Sequence, residues 1–375
     1  MKGLLKGCLF AGLTCIATNL DAQVIQRFYG NTYTNPADFG RTKDLQFAMG
    51  AVAVNAHVWY KGQVFGQYGR AVSSENVFPP YFLIAKRLNP KWTLALNISQ
   101  PILAPIDFPP KSVVAPLAIN SDTRAAEFNP LLVYQISDKL SIGAGPTFQD
   151  YYKNEISYVD PNIGYVHNNT RGWAAGWDLG LNWAFDQSTF IGLAFFSRMN
   201  VPYHGTSAGG FLAFNNTQTK NLPTPATVRM DLTHYFTPKL LGGITVFYTN
   251  WSTVQVIRVV NVVPAATNIP VHYKNQIAPA VLTHYDVNDK WGLFGLLALD
   301  QTVNTNEGLL IGFPATNDYI AKVGFDYKIN KDVKFQLQYG FIWGNAHINH
   351  PVGLDATGRE PIRVNTLDFR LTYAV

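Results

Sequence analysis

Two short motifs in this sequence contain residue types that catalysis or metal binding requires. Residues 205–209 read Gly-Thr-Ser-Ala-Gly, which matches the GxSxG turn that exposes a nucleophilic serine in hydrolases. That turn must join a strand to a helix, whereas here a Gly-, Asn- and Thr-rich segment follows without a helical pattern. His347 and His350 form the one close histidine pair, but their spacing does not put both rings on one face of a strand. The sequence therefore predicts neither a catalytic site nor a metal site.

A second group of residues combines positive charge with aromatic rings and predicts ligand binding instead of catalysis. Tyr151 and Lys153 share one phase of a predicted strand, Phe196 and Arg198 share a phase of another, and Phe247 lies in a third. A cation beside an apolar surface suits the carboxylate of a fatty acid, because a charge removed from water needs a partner. The alternative is that both cations pair with acidic side chains or with backbone groups of the protein itself.

The elements that would position these residues are strands with a two-residue period. Between residues 140 and 149 apolar side chains alternate with small or polar ones, and the same alternation returns between residues 333 and 344. One face of each strand would therefore meet an apolar environment and the other face a polar one. A soluble β-sandwich would also produce this pattern, so the spacing of the turns has to distinguish the two folds.

Short turn signals recur along the chain at nearly constant spacing. They lie 42 to 51 residues apart and are centred on Asn89, Asp138, Gln187, Pro238, Asp289 and Lys331. Each interval holds two long strands and one longer connection, which is typical of an outer-membrane barrel with tight turns at one end and long loops at the other. Adding one strand at each end of the chain brings the predicted count to 14 strands, an even number that allows an antiparallel barrel to close.

Composition and the start of the chain agree with a barrel in the outer membrane of a Gram-negative bacterium. Charged residues make up only 14% of the chain, and no run of about 18 apolar residues follows the N-terminus, which argues against membrane-spanning helices. Residues 1–22 are predicted to be a signal peptide, and both cysteines, Cys8 and Cys15, lie within it. The net charge of +5 is not concentrated in a Lys/Arg run, so no nucleic-acid partner is predicted.

The barrel is predicted to span residues 44–375. In residues 23–43, which precede the first strand, apolar and polar side chains do not alternate, so this segment forms either a disordered tail or a plug inside the barrel. Aromatic residues and an Asn-Pro pair argue against plain disorder, since disordered segments favour polar and charged residues. The candidate plug residues are Phe28, Tyr29, Asn35, Pro36 and Ala37. Arg229 and Asp231 share a phase of a later strand and are expected to form a polar network between wall and plug.

Three stretches of the predicted wall depart from simple alternation. The first strand is predicted over about 44–58, followed by a loop that ends at Pro80, and residues 204–224 are predicted to form another long loop. Pro101 and Pro105 lie in or just after the third strand. Because proline cannot donate to a ladder, these two residues either leave an opening in the wall or belong to a Pro-rich external loop.

With these motifs in view, the sequence resembles the FadL/TodX family of outer-membrane transporters for long-chain fatty acids and aromatic hydrocarbons. The resemblance rests on Asn35-Pro36-Ala37, on residues 128–145 and 222–226, and on Tyr248-Thr249-Asn250-Trp251-Ser252. The resemblance extends over essentially the whole chain after the signal peptide, and the order and spacing of the motifs make it fairly specific. The resemblance implies an all-β fold, a 14-stranded antiparallel transmembrane β-barrel with an N-terminal plug. It also implies that an apolar ligand is captured outside and released sideways through an opening at a kinked third strand.

The predicted function is therefore passive transport of fatty acids or hydrocarbons across the outer membrane, without catalysis and without a cofactor. The expected partners are a hydrophobic small molecule and outer-membrane lipid, and a monomer is expected. Two alternatives remain open from the sequence. One is a barrel with a structural or surface-interaction role, and the other is a porin for polar solutes.

Overall fold

The computed structural model describes residues 35–305, 311, 316–350 and 354–375. The predicted signal peptide and most of the predicted plug, including Phe28 and Tyr29, lie outside the described residues. The described chain is built almost entirely from strands, with short 3₁₀ helices at Pro36–Arg41 and Trp251–Thr253. Within the described residues, no helix is both long and apolar enough to cross a membrane.

All but two short strands of the described chain form one closed antiparallel barrel of fourteen strands, which confirms the predicted fold class. The two short strands, Met199–Asn200 and Pro223–Thr224, pair with each other in a separate small sheet. Five of these strands consist of two segments separated by a short break. The strands are β1 Leu45–Val64, β2 Gln67–Val77 with Pro80–Arg87, β3 Trp92–Asp107, β4 Asn120–Ser137, β5 Leu140–Asp160, β6 Gly164–Ala184, β7 Thr189–Phe196 with Tyr203–Gly209, β8 Leu212–Lys220 with Thr227–Thr237, β9 Leu240–Thr249 with Val256–Val260, β10 Thr267–Pro270 with Gln276–Asp286, β11 Trp291–Asp300, β12 Asp318–Lys328, β13 Val333–Asn349 and β14 Ala356–Ala374.

The barrel closes through the pairing of β1 with β14. This ladder runs from Gln46 opposite Ala374 to Val64 opposite Ala356. The last residue, Val375, continues the closure, because its N–H donates to the Leu45 carbonyl at 2.9 Å. This ladder leaves no edge of β1 or β14 in lipid, where an unpaired backbone N–H or C=O would cost several kcal/mol, on the order of a lost hydrogen bond in hydrocarbon.

Two predicted loops are wrong, because the structure continues the wall through both regions. β1 runs on to Val64 and β2 begins at Gln67, so the connection is a tight turn in which Phe65 and Gly66 have positive φ angles of 49° and 82°. Residues 204–224 form most of the outer segments of β7 and β8. Several outward side chains in these regions are polar, among them Lys61, Arg70, His204 and Lys220, so apolar alternation does not mark them as strand in the sequence.

The outer face of the barrel carries aromatic pairs near the short turns. Ring centroids are 4.6 Å apart in the pair Trp92–Tyr134 and also in the pair Trp291–Tyr327. Aromatic rings favour the level of the lipid headgroups, because they have both an apolar body and a polar edge. These pairs therefore mark the inner membrane–water boundary of the barrel.

A buried charged network crosses the interior between β2, β12 and β14. Lys322 and Asp368 are 5% and 3% exposed, and their side-chain nitrogen and oxygen are 3.4 Å apart. The Tyr81 hydroxyl donates to the other Asp368 oxygen at 2.7 Å and accepts from Arg370 Nε at 3.2 Å. Asp368 is therefore the negative centre between two positively charged groups.

We expect Asp368→Asn to lower the free energy of unfolding by about 3 kcal/mol, because the change removes the charge that compensates buried Lys322. Urea unfolding of the protein in detergent micelles measures this loss. Asp138→Asn in the exposed β4–β5 turn is the matched control and should change the value by less than about 0.5 kcal/mol. Equal effects of both substitutions would contradict a stabilising role for the network.

Candidate functional site in the barrel lumen

The described part of the predicted plug is a short turn inside the barrel, next to β4, β5, β6 and β7. The Asn35 side-chain oxygen accepts a hydrogen bond from Ala37 N at 2.9 Å and so caps the 3₁₀ helix Pro36–Arg41. The Asn35 amide donates to the carbonyl oxygens of Leu181 at 3.1 Å and Leu193 at 3.2 Å. One buried asparagine thus orders the turn and ties it to two wall strands.

Inward-facing glycines make room for this turn. A Cβ atom on Gly180 would collide with the Asn35 side-chain oxygen, and one on Gly143 would collide with the Pro36 carbonyl oxygen. A Cβ atom on Gly192 would lie 3.2 Å from Asn35 Nδ2 and 3.1 Å from Asp231 Oδ2. The wall at these positions therefore accepts the turn only because the side chain is absent.

The wall pair Arg229 and Asp231 borders the turn. Their side chains are joined at 2.7 Å, and the Thr245 hydroxyl donates to Asp231 at 2.6 Å. On the turn itself, the Asp38 carboxylate accepts from Asn182 Nδ2 at 2.6 Å. The described hydrogen bonds between wall and turn thus run from Asn35 and Asp38 to β6 and β7, whereas Arg229 and Asp231 bond to each other. The predicted network between this pair and the plug stays a prediction, as does the path of residues 23–34.

Above the turn, a set of buried apolar side chains occupies the lumen, and we call this set the apolar lumen cluster. It contains Ile102, Ala118, Ala125, Tyr151, Ile156, Ala174, Met199, Val201, Tyr203, Leu222, Trp251, Val254, Ile257, Val259, Val262, Ile269, Val271, Tyr273 and Val303. Most of these residues come from the wall or from the breaks in β7 to β10, and Ala118, Val262 and Val303 come from connections between strands. The apolar lumen cluster is the candidate binding region for a hydrophobic molecule.

The break in β7 shows how the wall supplies this cluster. After Phe196 the strand leaves the ladder with β6 and returns to it at His204. Two inward glycines of β6 lie beneath the displaced segment, where a Cβ on Gly172 would be 2.7 Å from Val201 Cγ1 and one on Gly176 would be 2.6 Å from Met199 Cγ. The displaced segment therefore packs inside the barrel against β6.

Tyr151 joins the apolar lumen cluster to a chain of polar groups. It is fully buried, its hydroxyl donates to Gln149 Oε1 at 3.0 Å, and its oxygen lies 2.7 Å from Thr224 Oγ1. Gln149 Nε2 in turn donates to Glu127 at 2.7 Å. Tyr203 packs edge-on against Tyr151, with ring centroids 5.3 Å apart. The predicted ligand residue Tyr151 therefore lies in the lumen with its hydroxyl already hydrogen-bonded.

Lys153 does not continue the inward phase of Tyr151, which corrects the sequence prediction. The pairing of β5 with β6 shifts by one residue between Tyr151 and Asn154, so that Asn154 takes the buried inward position. Lys153 instead forms ion pairs with Asp122 at 2.8 Å and with Glu155 at 2.9 Å. A bulge in the strand therefore moves this cation toward wall carboxylates, as in the alternative that the sequence left open.

The other predicted ligand residues lie at different heights. Arg198 is exposed within the break of β7, and none of the described acidic residues forms an ion pair with it. Phe196 is buried in the same apolar cluster as Phe39 of the turn. Phe247 is buried lower in the wall, with the Arg229 guanidinium carbon 5.2 Å from its ring centroid. The structure therefore does not bring the five predicted residues together in one pocket.

Pro101 and Pro105 lie within β3, so residues 101–107 are strand and not an external loop. β3 pairs with β4 as far as Asp107, but its ladder with β2 ends where Phe82 faces Ile98. Beyond that point, one hydrogen bond between the two strands is described, from Asp107 N to Ser73 Oγ at 2.8 Å. The pairing of β3 is therefore one-sided along the segment that contains both prolines.

The two motifs with catalytic or metal-binding patterns do not have the context that such chemistry needs. Ser207 lies in the outer segment of β7 with no helix after it, is fully buried, and accepts a hydrogen bond from Val263 N at 2.8 Å. His347 is exposed near the end of β13, and His350 lies beyond the end of that strand. Within the described residues, no group of three or more potential ligand side chains could hold a metal ion.

Sequence reasoning missed the residues that the wall breaks place in the lumen, above all Met199, Val201, Trp251 and Tyr273. A signal was present, because two of the family-like segments, residues 222–226 and Tyr248 to Ser252, coincide with the breaks in β8 and β9. A break in a strand followed by renewed alternation looks like the end of the strand in a single sequence. Only the register of the neighbouring strands shows that the wall continues.

A closed fourteen-stranded antiparallel barrel with an outer aromatic belt and a filled lumen is an outer-membrane β-barrel protein. Residues 19–366 match the sequence profile of a family described as outer membrane protein transport protein (OMPP1/FadL/TodX). The chain belongs to this family, which confirms the predicted family and the predicted location in the outer membrane.

Individual relatives agree with this assignment. Outer membrane protein P1 of Haemophilus influenzae is 20% identical over 396 residues, which cover 90% of this chain and 83% of that protein. The crystal structure of a Pseudomonas aeruginosa FadL homologue has a TM-score of 0.81 at 16% identity, covering 91% of this chain and 93% of that chain. The Pseudomonas putida toluene transporter TodX has a TM-score of 0.70 at 14% identity, with the same coverage. At such identities the solved structures support the fold alone.

Gly180→Ala should displace the turn at Asn35, because the added Cβ collides with the Asn35 side-chain oxygen. We expect higher ion conductance through the purified barrel in a planar bilayer, and a loss of about 1–3 kcal/mol in the free energy of unfolding from overpacking. Gly295→Ala is the matched control, since the nearest atom to its Cβ is Thr283 Cγ2 at 3.3 Å. Unchanged conductance in the Gly180 variant would show that the turn does not restrict the lumen.

Proposed function

We propose that this protein is a passive channel that takes up a hydrophobic compound from outside and releases it sideways into the outer membrane. The family is described as a transport protein, and one of its relatives is named a toluene transporter. In this proposal the compound enters the apolar lumen cluster, displaces side chains of the wall breaks, and leaves between β2 and β3. No nucleotide or cofactor takes part.

The observation that carries this proposal is the position of Ile102. This fully buried residue belongs to the apolar lumen cluster and also lies on β3, between the two prolines and beyond the end of the ladder with β2. Apolar side chains thus lead from the centre of the lumen to a stretch of wall where pairing is one-sided. Pro101 and Pro105 suit an opening toward lipid, because they reduce the number of N–H groups that would need a partner there.

In this proposal, Arg198 is the residue that distinguishes a charged ligand from a neutral one. Arg198 directly precedes Met199 and lies three residues before Val201, and both of these residues belong to the apolar lumen cluster. A fatty acid would place its chain in the cluster and its carboxylate near the exposed Arg198. Lys153 is a poorer partner, because Asp122 and Glu155 already offset its charge. A neutral hydrocarbon would use the cluster alone.

Arg198→Gln should weaken the binding of a long-chain fatty acid by roughly tenfold or more, the usual effect of losing a hydrogen bond to a charged group. Binding of a neutral hydrocarbon such as toluene should stay the same. Isothermal titration of the purified protein in micelles measures both ligands, and Lys153→Gln is the matched control with little expected effect on either. If fatty acid and toluene both fail to bind the unaltered protein, the structural barrel becomes the better account.

Pro101→Ala combined with Pro105→Ala should slow transport without weakening ligand binding. The change returns two N–H donors to β3, which favours pairing with β2 and closes the opening. Uptake of a labelled hydrophobic compound into cells measures the effect, with Pro130→Ala combined with Pro279→Ala as the control in β4 and β10, where both prolines face ladder partners. Equal uptake by both double variants would argue against release between β2 and β3.

A further inference from the structure

Four exposed cations lie together on the outer face of the barrel, and we call Lys61, Arg70, Arg359 and Arg363 the basic patch. Lys61 on β1 lies directly opposite Arg70 on β2 and Arg359 on β14. Arg363 lies four residues further along β14 and so points to the same face. The patch is close to the tight β1–β2 turn, at the end of the barrel opposite the six short connections.

The described parts of the strands around the four cations place no carboxylate on this face, and the exposed Asp355, one residue before β14, lies 3.9 Å from His350. The outward positions of β1, β2, β13 and β14 include no Asp or Glu along their described lengths. None of the four cations takes part in an ion pair with another described residue. His57 and His347 lie opposite Arg363 and Arg359 and add no negative charge to this face. Like charges this close repel one another, so an anion bound among them would be stabilised.

Aromatic side chains define the depth of the basic patch in the membrane. Trp343 on β13 lies directly opposite Arg363, and the Arg363 guanidinium carbon is 5.5 Å from the ring centroid of Trp59. Tryptophan and tyrosine mark the level of the lipid headgroups. Lys61, Arg70 and Arg359 lie further out, toward the exterior. The patch therefore spans the headgroup level of the outer leaflet.

An apolar groove of 470 Å³ adjoins the basic patch on its membrane side. Its lining includes Ala53 together with Phe78, Tyr339 and Leu367, and each of these three larger side chains is about half exposed. Asn55, Asn76 and Asn365 line the end of the groove nearer the patch. The groove is open to lipid and has the apolar character that an acyl chain requires.

We propose that this surface binds a phosphate-bearing lipid of the outer leaflet, with its phosphate groups on the basic patch and one acyl chain in the groove. Arginine suits this role, because its planar guanidinium group can donate two parallel hydrogen bonds to a phosphate. The ring of Trp59 restricts the Arg363 side chain and so lowers the entropy lost on binding. The site lies on the opposite face of the wall from the lumen and is independent of the transported compound.

The test uses the full mature protein in detergent micelles and titrates it with lipid A carrying two phosphates, and with the same lipid after removal of both phosphates. Arg359→Gln combined with Arg363→Gln should weaken binding of the phosphorylated lipid by roughly thirtyfold, or about 2 kcal/mol. Lys91→Gln combined with Lys139→Gln removes the same charge at the opposite end of the barrel and should leave binding unchanged. Native mass spectrometry reads out the bound lipid.

Each outcome decides one part of the proposal. If the patch variant binds the phosphorylated lipid as tightly as the unaltered protein does, or if removal of the phosphates has no effect, the basic patch is not a lipid phosphate site. Ala53→Phe fills the groove without changing any charge and should weaken binding of the acylated lipid. If it does not, the acyl chain does not use the groove. Heat-modifiable migration of each variant on a gel confirms that the barrel has formed.

Discussion

The pairing of β1 with β14 is the interaction on which the rest of this structure depends. Lipid offers no partner for a backbone N–H or C=O, so the wall has to satisfy these groups by closing on itself. Once it is closed, the two-residue period of every strand sends alternate side chains to lipid and to the lumen. Neighbouring residues of one strand therefore face opposite sides of the wall, as with Arg363, which points outward, and Val364, which points into the lumen.

The interior contains two kinds of region. In one, charged side chains form compensating pairs, and in the other, the apolar lumen cluster, there are no charged side chains. Asp368 lies between Lys322 and Arg370, and Asp231 pairs with Arg229 beside the Asn35 turn. Between these networks, the breaks in β7 to β10 turn wall side chains into a packed apolar core. A polar solute would lose its hydration in this region without gaining partners, whereas an apolar compound would lose little. This difference argues for a hydrophobic cargo and against an open aqueous pore.

Departures from regular pairing are spread unequally around the barrel. In β7 to β10 the displaced segments pack into the lumen, where neighbouring strands and the apolar lumen cluster cover them. In β3 the ladder with β4 continues while the ladder with β2 ends at Ile98. The first kind of departure fills the barrel, and the second leaves one edge of a strand without a regular neighbour. The proposed uptake, in which cargo binds inside the barrel and leaves through the wall, would need both.

Sequence alone determined the fold class, because the turn spacing and the alternation follow directly from strand geometry and from the lipid outside. It also identified Asn35-Pro36-Ala37 and the two prolines of β3, whose residue types limit the backbone locally. It could not place Lys153, because one extra residue in β5 reverses the phase and only the register with β6 reveals it. Nor could it find Met199 and Trp251 in the lumen or the basic patch on the outer face. Those sites join residues that are distant in sequence, and only the closed ladder brings them together.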